Sequence, residues 1–225
     1  MNTSKLIISE CLILQNNLLI GKIMDKNKQK TLIIIKHDGV ARGLMGEIIS
    51  RFERVGLKMV ALEFIAATDD MSSSHYPDSS EWKAKVGQRT LAEYEEKGID
   101  AVAQLGTDNA EEIGGLVKGW LVEYLSMGPV LAMVFEGPEA VRIGRKLVGE
   151  TNPVNAAPGT IRGDYSWDNA DLANEHMRPF YNLAHASGSP EEAQEEIDLW
   201  FSDTELMDYP VNAHKPMGYY GKPKM

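Results

Sequence analysis

The run T-L-I-I-I-K, from Thr31 to Lys36, constrains this chain more than any other stretch. It is apolar and β-branched without polar alternation, the pattern of a central strand buried on both faces. Such a strand needs a partner along each edge. L-K-M-V-A-L-E-F-I-A (57–66) and V-L-A-M-V-F-E (130–136) read as further strands, and F-Y-N-L-A (180–184) marks a fourth.

Helical signals fall between them. Leu44, Ile48, Phe52 and Val55 recur at helical spacing, and Gly56 closes that segment. Thr68-Asp69-Asp70 starts a short helix to His75 and Tyr76. L-V-K-G-W-L-V-E-Y-L leads to the third strand, and Pro138 opens a helix that carries Arg142, Arg145 and Lys146 on its polar side and ends at Gly149. Ser189, Pro190 and Glu192 announce a last helix, with a serine N-cap, proline in the first turn and glutamate three residues after the cap. The order β-α-β-β-α-β with extra helices predicts an α+β, four-stranded antiparallel sheet with helices on one face.

Several segments lie outside that frame. Residues 77–118 change character, with charged helical patterns and glycine breaks at Gly87, Gly98 and Gly106, and read as an insertion; 166–180 reads as a second. T-N-P-V-N-A-A-P-G-T-I-R-G-D-Y (151–165) reads as a loop of a length that asks for a ligand. Residues 1–29 form an N-terminal extension, residues 30–206 one domain, and residues 207–225 a tail. The first 23 residues have no apolar run long enough to span a membrane and no cleavage site, leaving a genuine extension and a start at Met24 both open.

Composition narrows the function. A chain of 225 residues with 43% hydrophobic content can bury one core. Thirty-three acidic against 23 basic side chains give a net charge of −10, which opposes a nucleic-acid surface or an anionic membrane. A bound polyanion must then be held by a few local cations. The single cysteine, Cys11, rules out an internal disulfide and fits a reducing, cytoplasmic compartment.

Those cations are in view. Lys36 ends a buried strand, where a charge is costly unless it points into a polar site, although an ordinary lysine snorkelling to solvent would also fit. Arg162 lies in G-T-I-R-G-D, where glycines let backbone approach a ligand. With Arg145, these residues could neutralise a triphosphate. No phosphate-binding glycine loop and no metal-ligand spacing appear, so any Mg²⁺ would ride on the phosphates. His185, in N-L-A-H-A-S-G-S-P-E-E, reads as an exposed ring in a small-residue loop at a helix entrance, and Glu196 can reach back toward it. Ser187 and His185 lack the G-x-S-x-G elbow of a hydrolase.

T-L-I-I-I-K-x-D-G-V-A-R-G-L-M-G-E-I-I-S-R-F-E, V-G-E-T-N-P-x-x-A-A-P-G-T-I-R-G-D and N-L-A-H-A-S-G-S-P-E-E-A-x-x-E-I stand in this order, and together they resemble the nucleoside diphosphate kinase family. The resemblance implies a ferredoxin-like fold and a ping-pong transfer of the γ-phosphate of ATP or another nucleoside triphosphate to a diphosphate. It makes His185 the nucleophile, Glu196 its orienting partner and Ser187 a support for Glu196. Lys36, Tyr76, Arg145, Thr151, Arg162 and Asn182 match phosphate and ribose contacts. It also implies Mg²⁺ bound through the nucleotide, and a homo-oligomer, a tetramer or hexamer built from dimers. The chain departs from the pattern in places. The usual K-P-D-G is K-H-D-G, Gly188 replaces a residue that is often acidic, and Gly115 and Val117 stand where the family has an arginine and a base-stacking phenylalanine. Val117, Trp120 or Trp82 must then serve as base platform, and Lys83, Lys85 or Arg89 as substitute cation. The rival readings are a nucleotide-binding regulatory module without turnover and a histidine phosphocarrier that docks a protein.

Overall fold

The computed structural model describes residues 28–202 and 204–211. The readings made for residues 1–27, Cys11 among them, and for 212–225 lie outside these. Strand β1 (Gln29–Ile35) pairs antiparallel with β3 (Pro129–Gly137) on one edge and β4 (Ala184–Ala186) on the other, and β2 (Lys58–Ala66) pairs antiparallel with β3. The sheet order β2-β3-β1-β4 is that of the ferredoxin-like fold.

β1 is central because Leu32, Ile33, Ile34 and Ile35 are all fully buried, each such side chain contributing about 1.5–3 kcal/mol on transfer from water. The pleat divides them. Ile33 and Ile35 join Leu131, Met133 and Phe135 under Ile48 and Phe52 of α2 (Met45–Arg54) and Val148 of α7 (Ala140–Val148). Leu32 and Ile34 join Val130, Ala132 and Val134 under Ile197 and Trp200 of α10 (Pro190–Trp200) and Leu125 of α6 (Ala110–Ser126). Helices thus cover both faces, not one, because a strand apolar on both sides leaves neither face fit for water. Phe52 and Phe135 stack at 4.9 Å in the first layer.

The fourth strand begins at Ala184, later than the expected 180–184. Leu183 has φ 67°, which breaks the extended run, and its carbonyl accepts from the Lys36 amide at 2.8 Å. The 151–165 loop is partly helical: a 3₁₀ turn at Pro153–Asn155 is followed by α8 (Ile161–Tyr165).

The remaining helices are α1 (His37–Ala41), α3 (Asp69–His75), α4 (Ser80–Glu96), α5 (Ala101–Leu105) and α9 (Ala170–Glu175). Gly87 does not break α4. It lies inside it, and an added Cβ would stand 1.7 Å from the Ala110 carbonyl oxygen; one at Gly114 of α6 would stand 2.0 Å from that of Lys83. These glycines let α4 and α6 pack backbone to backbone. Gly98 (φ 65°) and Gly106 (φ 81°) do end helical segments, in the left-handed conformation that suits glycine. Among the described residues, no helix is long and apolar enough to cross a membrane.

Candidate active site

The site grows from the end of β1. Lys36 is 5% exposed; its Nζ donates to Asn182 Oδ1 at 3.0 Å and stands 4.5 Å from the Tyr124 ring centroid. Burial, then the charge of Arg162, lowers its pKa to about 7. Asp38 accepts from Tyr124 Oη at 2.9 Å and from the Leu183 amide at 3.1 Å, while the Asn182 amide donates to Tyr124 Oη at 3.0 Å. The K-H-D-G turn therefore clamps the backbone that leads into β4. His37, where the family usually has proline, fits as an aromatic: its ring meets Tyr124 and Tyr181 edge-on at 5.1 and 5.6 Å.

His185 is not in an exposed loop. It is the middle residue of β4, paired with Ile34, and its side chain is 18% exposed. The sheet, rather than the following helix, fixes its direction. Nε2 is buried and lies 2.6 Å from Glu196 Oε1, out of line for a hydrogen bond in this geometry. Glu196 Oε2 accepts from Ser187 Oγ at 2.6 Å, and Ser187 Oγ in turn accepts from the Leu32 amide at 3.0 Å. The carboxylate is thus tied to β1 through a serine that is wholly buried. Burial raises the Glu196 pKa, against the opposing pull of His75 and Ser187. Burial also holds His185 well below the usual imidazole value, and the charges of Lys36, Arg162 and Arg145 push the same way. At neutral pH the ring is uncharged, the form in which an imidazole can act as a nucleophile.

A cavity of about 400 Å³ opens in front of the ring. His185, Lys36, Arg145, Arg162 and Asn182 line it, and so do Thr151, Tyr76 and Val117. Glu196 and Ser187 stand behind the histidine, outside the lining. Arg162 is braced by three backbone carbonyls, donating from Nε to Asn182 at 3.1 Å, from Nη1 to Gly149 at 2.9 Å and from Nη2 to Ala184 at 2.6 Å. A guanidinium carries more N–H groups than these bonds use. Asn182 Nδ2 donates to the Thr151 carbonyl at 3.0 Å, so one amide joins Lys36 to the 151–165 loop.

Trp82 and Trp120 both join Val117 in the lining, with Val86 and Leu121 beside them. Among the substitute cations, Arg89 lines the cavity. Lys83 does not; it pairs with Asp78 at 2.8 Å, as does Lys118. Lys85 is also outside the lining.

One group of side chains among the described residues has metal-like composition: His75, His185 and Glu196 offer ligand atoms within 4.8 Å of one another. Its spacing argues against an ion, because two ligands each at about 2.0–2.2 Å from one metal stand roughly 3 Å or more apart, and His185 Nε2 and Glu196 Oε1 are at 2.6 Å. Lys36, Arg145 and Arg162 make the lining cationic, so it suits an anion and not a bare divalent ion.

The model of the nucleoside diphosphate kinase family matches residues 29–105 and 118–206. The chain belongs to that family. A nucleoside diphosphate kinase of Pyrobaculum aerophilum is 52% identical over 180 residues, covering 80% of this chain and 98% of the relative. One from Gallus gallus is 38% identical, covering 85% and 97%. Among solved structures, an NDP kinase from Pyrobaculum aerophilum has a TM-score of 0.79 at 51% identity and covers 80% of this chain and 100% of that one. A transition-state mimic of the Borrelia burgdorferi enzyme, with bound vanadate and ADP, has a TM-score of 0.66 at 36% identity, covering 84% and 96%.

Sequence reasoning missed two members of the site. His75 is buried, meets the His185 ring edge-on at 4.5 Å, and accepts from Trp200 Nε1 at 3.3 Å through Nδ1. Burial lowers its pKa to about 3, aided by His185. Its adjacency to Tyr76 was the only local signal. Asn174, on α9, lines the cavity with no signal at all in the sequence around it.

Proposed function

We propose that this family member moves the γ-phosphoryl group of a nucleoside triphosphate to a nucleoside diphosphate in two half-reactions, with Nδ1 of His185 as the carrier. The observation that carries the assignment is the ring's setting: Nε2 is buried against Glu196, leaving Nδ1 for the cavity in which Lys36, Arg145 and Arg162 converge. The Nδ1 lone pair attacks the γ-phosphorus. The N–P bond forms as the bond from phosphorus to the β,γ-bridging oxygen breaks, and the departing diphosphate keeps that electron pair. An acceptor diphosphate then attacks the same phosphorus through a terminal oxygen, breaking the N–P bond.

Glu196, locked by Ser187, stabilises the ring as charge develops on it. Lys36, Arg145 and Arg162 stabilise charge on the phosphoryl oxygens, Asn182 and Thr151 position them, and Tyr76 and Val117 contact the ribose and base. Mg²⁺ is the ion that this reading assigns to the nucleotide phosphates, where it shields their charge. Residues 30–206 act as the catalytic domain, in the cytoplasm and in a homo-oligomer built from dimers. A regulatory module would need neither His185 nor Glu196, and a protein-docking phosphocarrier would not need a cavity of this size.

Incubation with γ-labelled ATP, followed by a chase with a nucleoside diphosphate, tests the assignment. The label enters the protein as an acid-labile, base-stable phosphoramidate and leaves with the chase, and His185→Ala abolishes both while nucleotide binding persists. Base-labile label surviving in His185→Ala would move the carrier to Ser187 or Ser189.

A further inference from the structure

One buried aromatic ring touches the site without lining the cavity. Val117, Trp120 and Leu121 of α6 are in the lining, and Tyr124 follows them on the same helix, seven residues after Val117. Tyr124 is 1% exposed and lies outside the lining, yet Lys36 Nζ stands 4.5 Å from its ring centroid. Neighbouring rings fix its orientation: Tyr181 stacks on it at 5.0 Å, with 29° between the planes, and His37 meets it edge-on. Its hydroxyl donates to Asp38 Oδ1 and accepts from the Asn182 amide, and Asn182 Oδ1 accepts from Lys36 Nζ. Ring and hydroxyl thus bear on the same amine, one by contact and the other through Asn182.

We infer that Tyr124 is a positioning residue for Lys36, whose ammonium its ring face holds at the cavity with N–H groups left for phosphate. The inference rests on the nucleotide-transfer reading above and adds to it the means by which a buried amine stays fit to meet an anion. Burial alone favours the neutral amine. A carboxylate in contact would restore the charge, but it would also occupy the N–H groups and compete with the phosphates. An aromatic face attracts the cation without a strong hydrogen bond. An ammonium has three N–H groups, and Asn182 takes one of them at 3.0 Å. Asp38, whose charge favours the ammonium, is instead committed to Tyr124 Oη through one oxygen and to the Leu183 amide through the other. Of the other titratable groups around the amine, Arg162 of α8 opposes its charge, while His185 of β4 and His75 of α3 are uncharged at neutral pH.

The test titrates the Lys36 amine in the empty full chain by NMR of carbon-labelled lysine, its signal assigned by loss in Lys36→Gln. Tyr124→Phe and Tyr124→Leu both remove the hydroxyl and free Asp38, so their difference isolates the ring face. The leucine variant should titrate about one unit below the phenylalanine variant. A ring-fluorinated phenylalanine at the same position keeps the shape of phenylalanine and loses the attractive face, so it should titrate low as well, whether or not the leucine variant folds. Labelling of His185 by γ-labelled ATP at neutral pH should be up to about fivefold slower with Tyr124→Leu than with Tyr124→Phe. With Lys36→Gln in both, that difference should shrink to less than about twofold, because the partner of the ring is gone. Phenylalanine, its fluorinated form and leucine titrating alike would overturn the inference. So would a labelling difference that persists without Lys36, which would mark Tyr124 as a structural residue. If the unaltered protein does not label His185, the transfer reading fails and the role toward phosphate fails with it, while the titrations still decide whether the ring holds the amine.

Discussion

The two groups of residues that line the cavity are built by opposite means. The cationic group comes from the sheet and the helices on it, and backbone bonds hold it: Arg162 reaches three carbonyls, and Lys36 and the Thr151 carbonyl are bridged by Asn182. The apolar group comes from α4, α6 and α9, and the close approach of α4 to α6 depends on Gly87 and Gly114. Phosphate chemistry needs charges fixed to fractions of an ångström, so its groups sit where the core leaves no play. A flat apolar ligand group needs only a slot of the right width, and packing between helices can supply that. Substitutions in the cationic group should therefore act on kcat as well as on KM, and those in the apolar group on KM and stability.

The largest effect that would sharpen this contrast is expected at Glu196. Glu196→Gln keeps the shape and removes the charge that steadies the His185 ring, so kcat for phosphoryl transfer should fall about 10- to 100-fold, as for other orienting carboxylates, with little change in KM. A large rise in KM with kcat intact would mean that Glu196 supports the pocket and not the ring.

Next come two neighbouring glycines of α6. Gly114→Ala forces a methyl group against the Lys83 carbonyl, while the Cβ added at Gly115 meets nothing within 4 Å. The first should cost about 1–3 kcal/mol through overpacking and raise nucleotide KM as α4 is pushed from α6. The second should gain about 0.5–1 kcal/mol from helix propensity. Thermal melts of both separate the outcomes, and equal shifts would show that the tight crossing plays no part.

A smaller effect is expected at Trp82 and Trp120. If either ring stacks on the base, its replacement by alanine should raise nucleotide KM about 2- to 10-fold, the worth of an aromatic contact beyond its area. Unchanged KM in both variants would leave the platform to Val117.

This contrast also tracks what the sequence made legible. β1, β2 and β3 are visible because buried strands write themselves as apolar runs, and the cationic group is visible because its residues lie in short motifs next to those strands. β4 is a three-residue strand, A-H-A, with no periodicity of its own. Its start is set by Leu183 entering the left-handed region and by Asp38 holding that amide, a contact 145 residues distant in sequence. Gly87 read as a helix break because a glycine inside a helix and a glycine at its end look alike until the neighbouring helix is in place. Asn174 gave no signal because an asparagine in a polar helical stretch is ordinary unless it faces inward. Local chemistry wrote the cationic group into the sequence; the apolar group exists only through tertiary packing.

Lys36 permits a test in which one change of pH acts with opposite sign on the empty and the loaded protein. Its amine has a pKa of about 7 in the empty cavity against an ordinary 10.5, chiefly through burial. Unfolded chains then bind more protons than folded ones between these values, so the empty protein should gain stability as pH rises through that window, by up to about 1.4 kcal/mol per unit from this group. Nucleotide binding should run the other way. Phosphates favour the charged amine and raise its pKa, so above pH 7 binding must take up a proton, and KM should rise by up to about fivefold from pH 7 to pH 8. Below pH 7 the amine is already charged in the empty site, and this contribution levels off. Lys36→Gln, measured in parallel, removes both trends while leaving the titration of the nucleotide itself in place. Melting temperatures and KM values whose pH dependence through this window matched that of Lys36→Gln would mean that Lys36 is charged in the empty site, and that burial there is offset by partners such as Asp38.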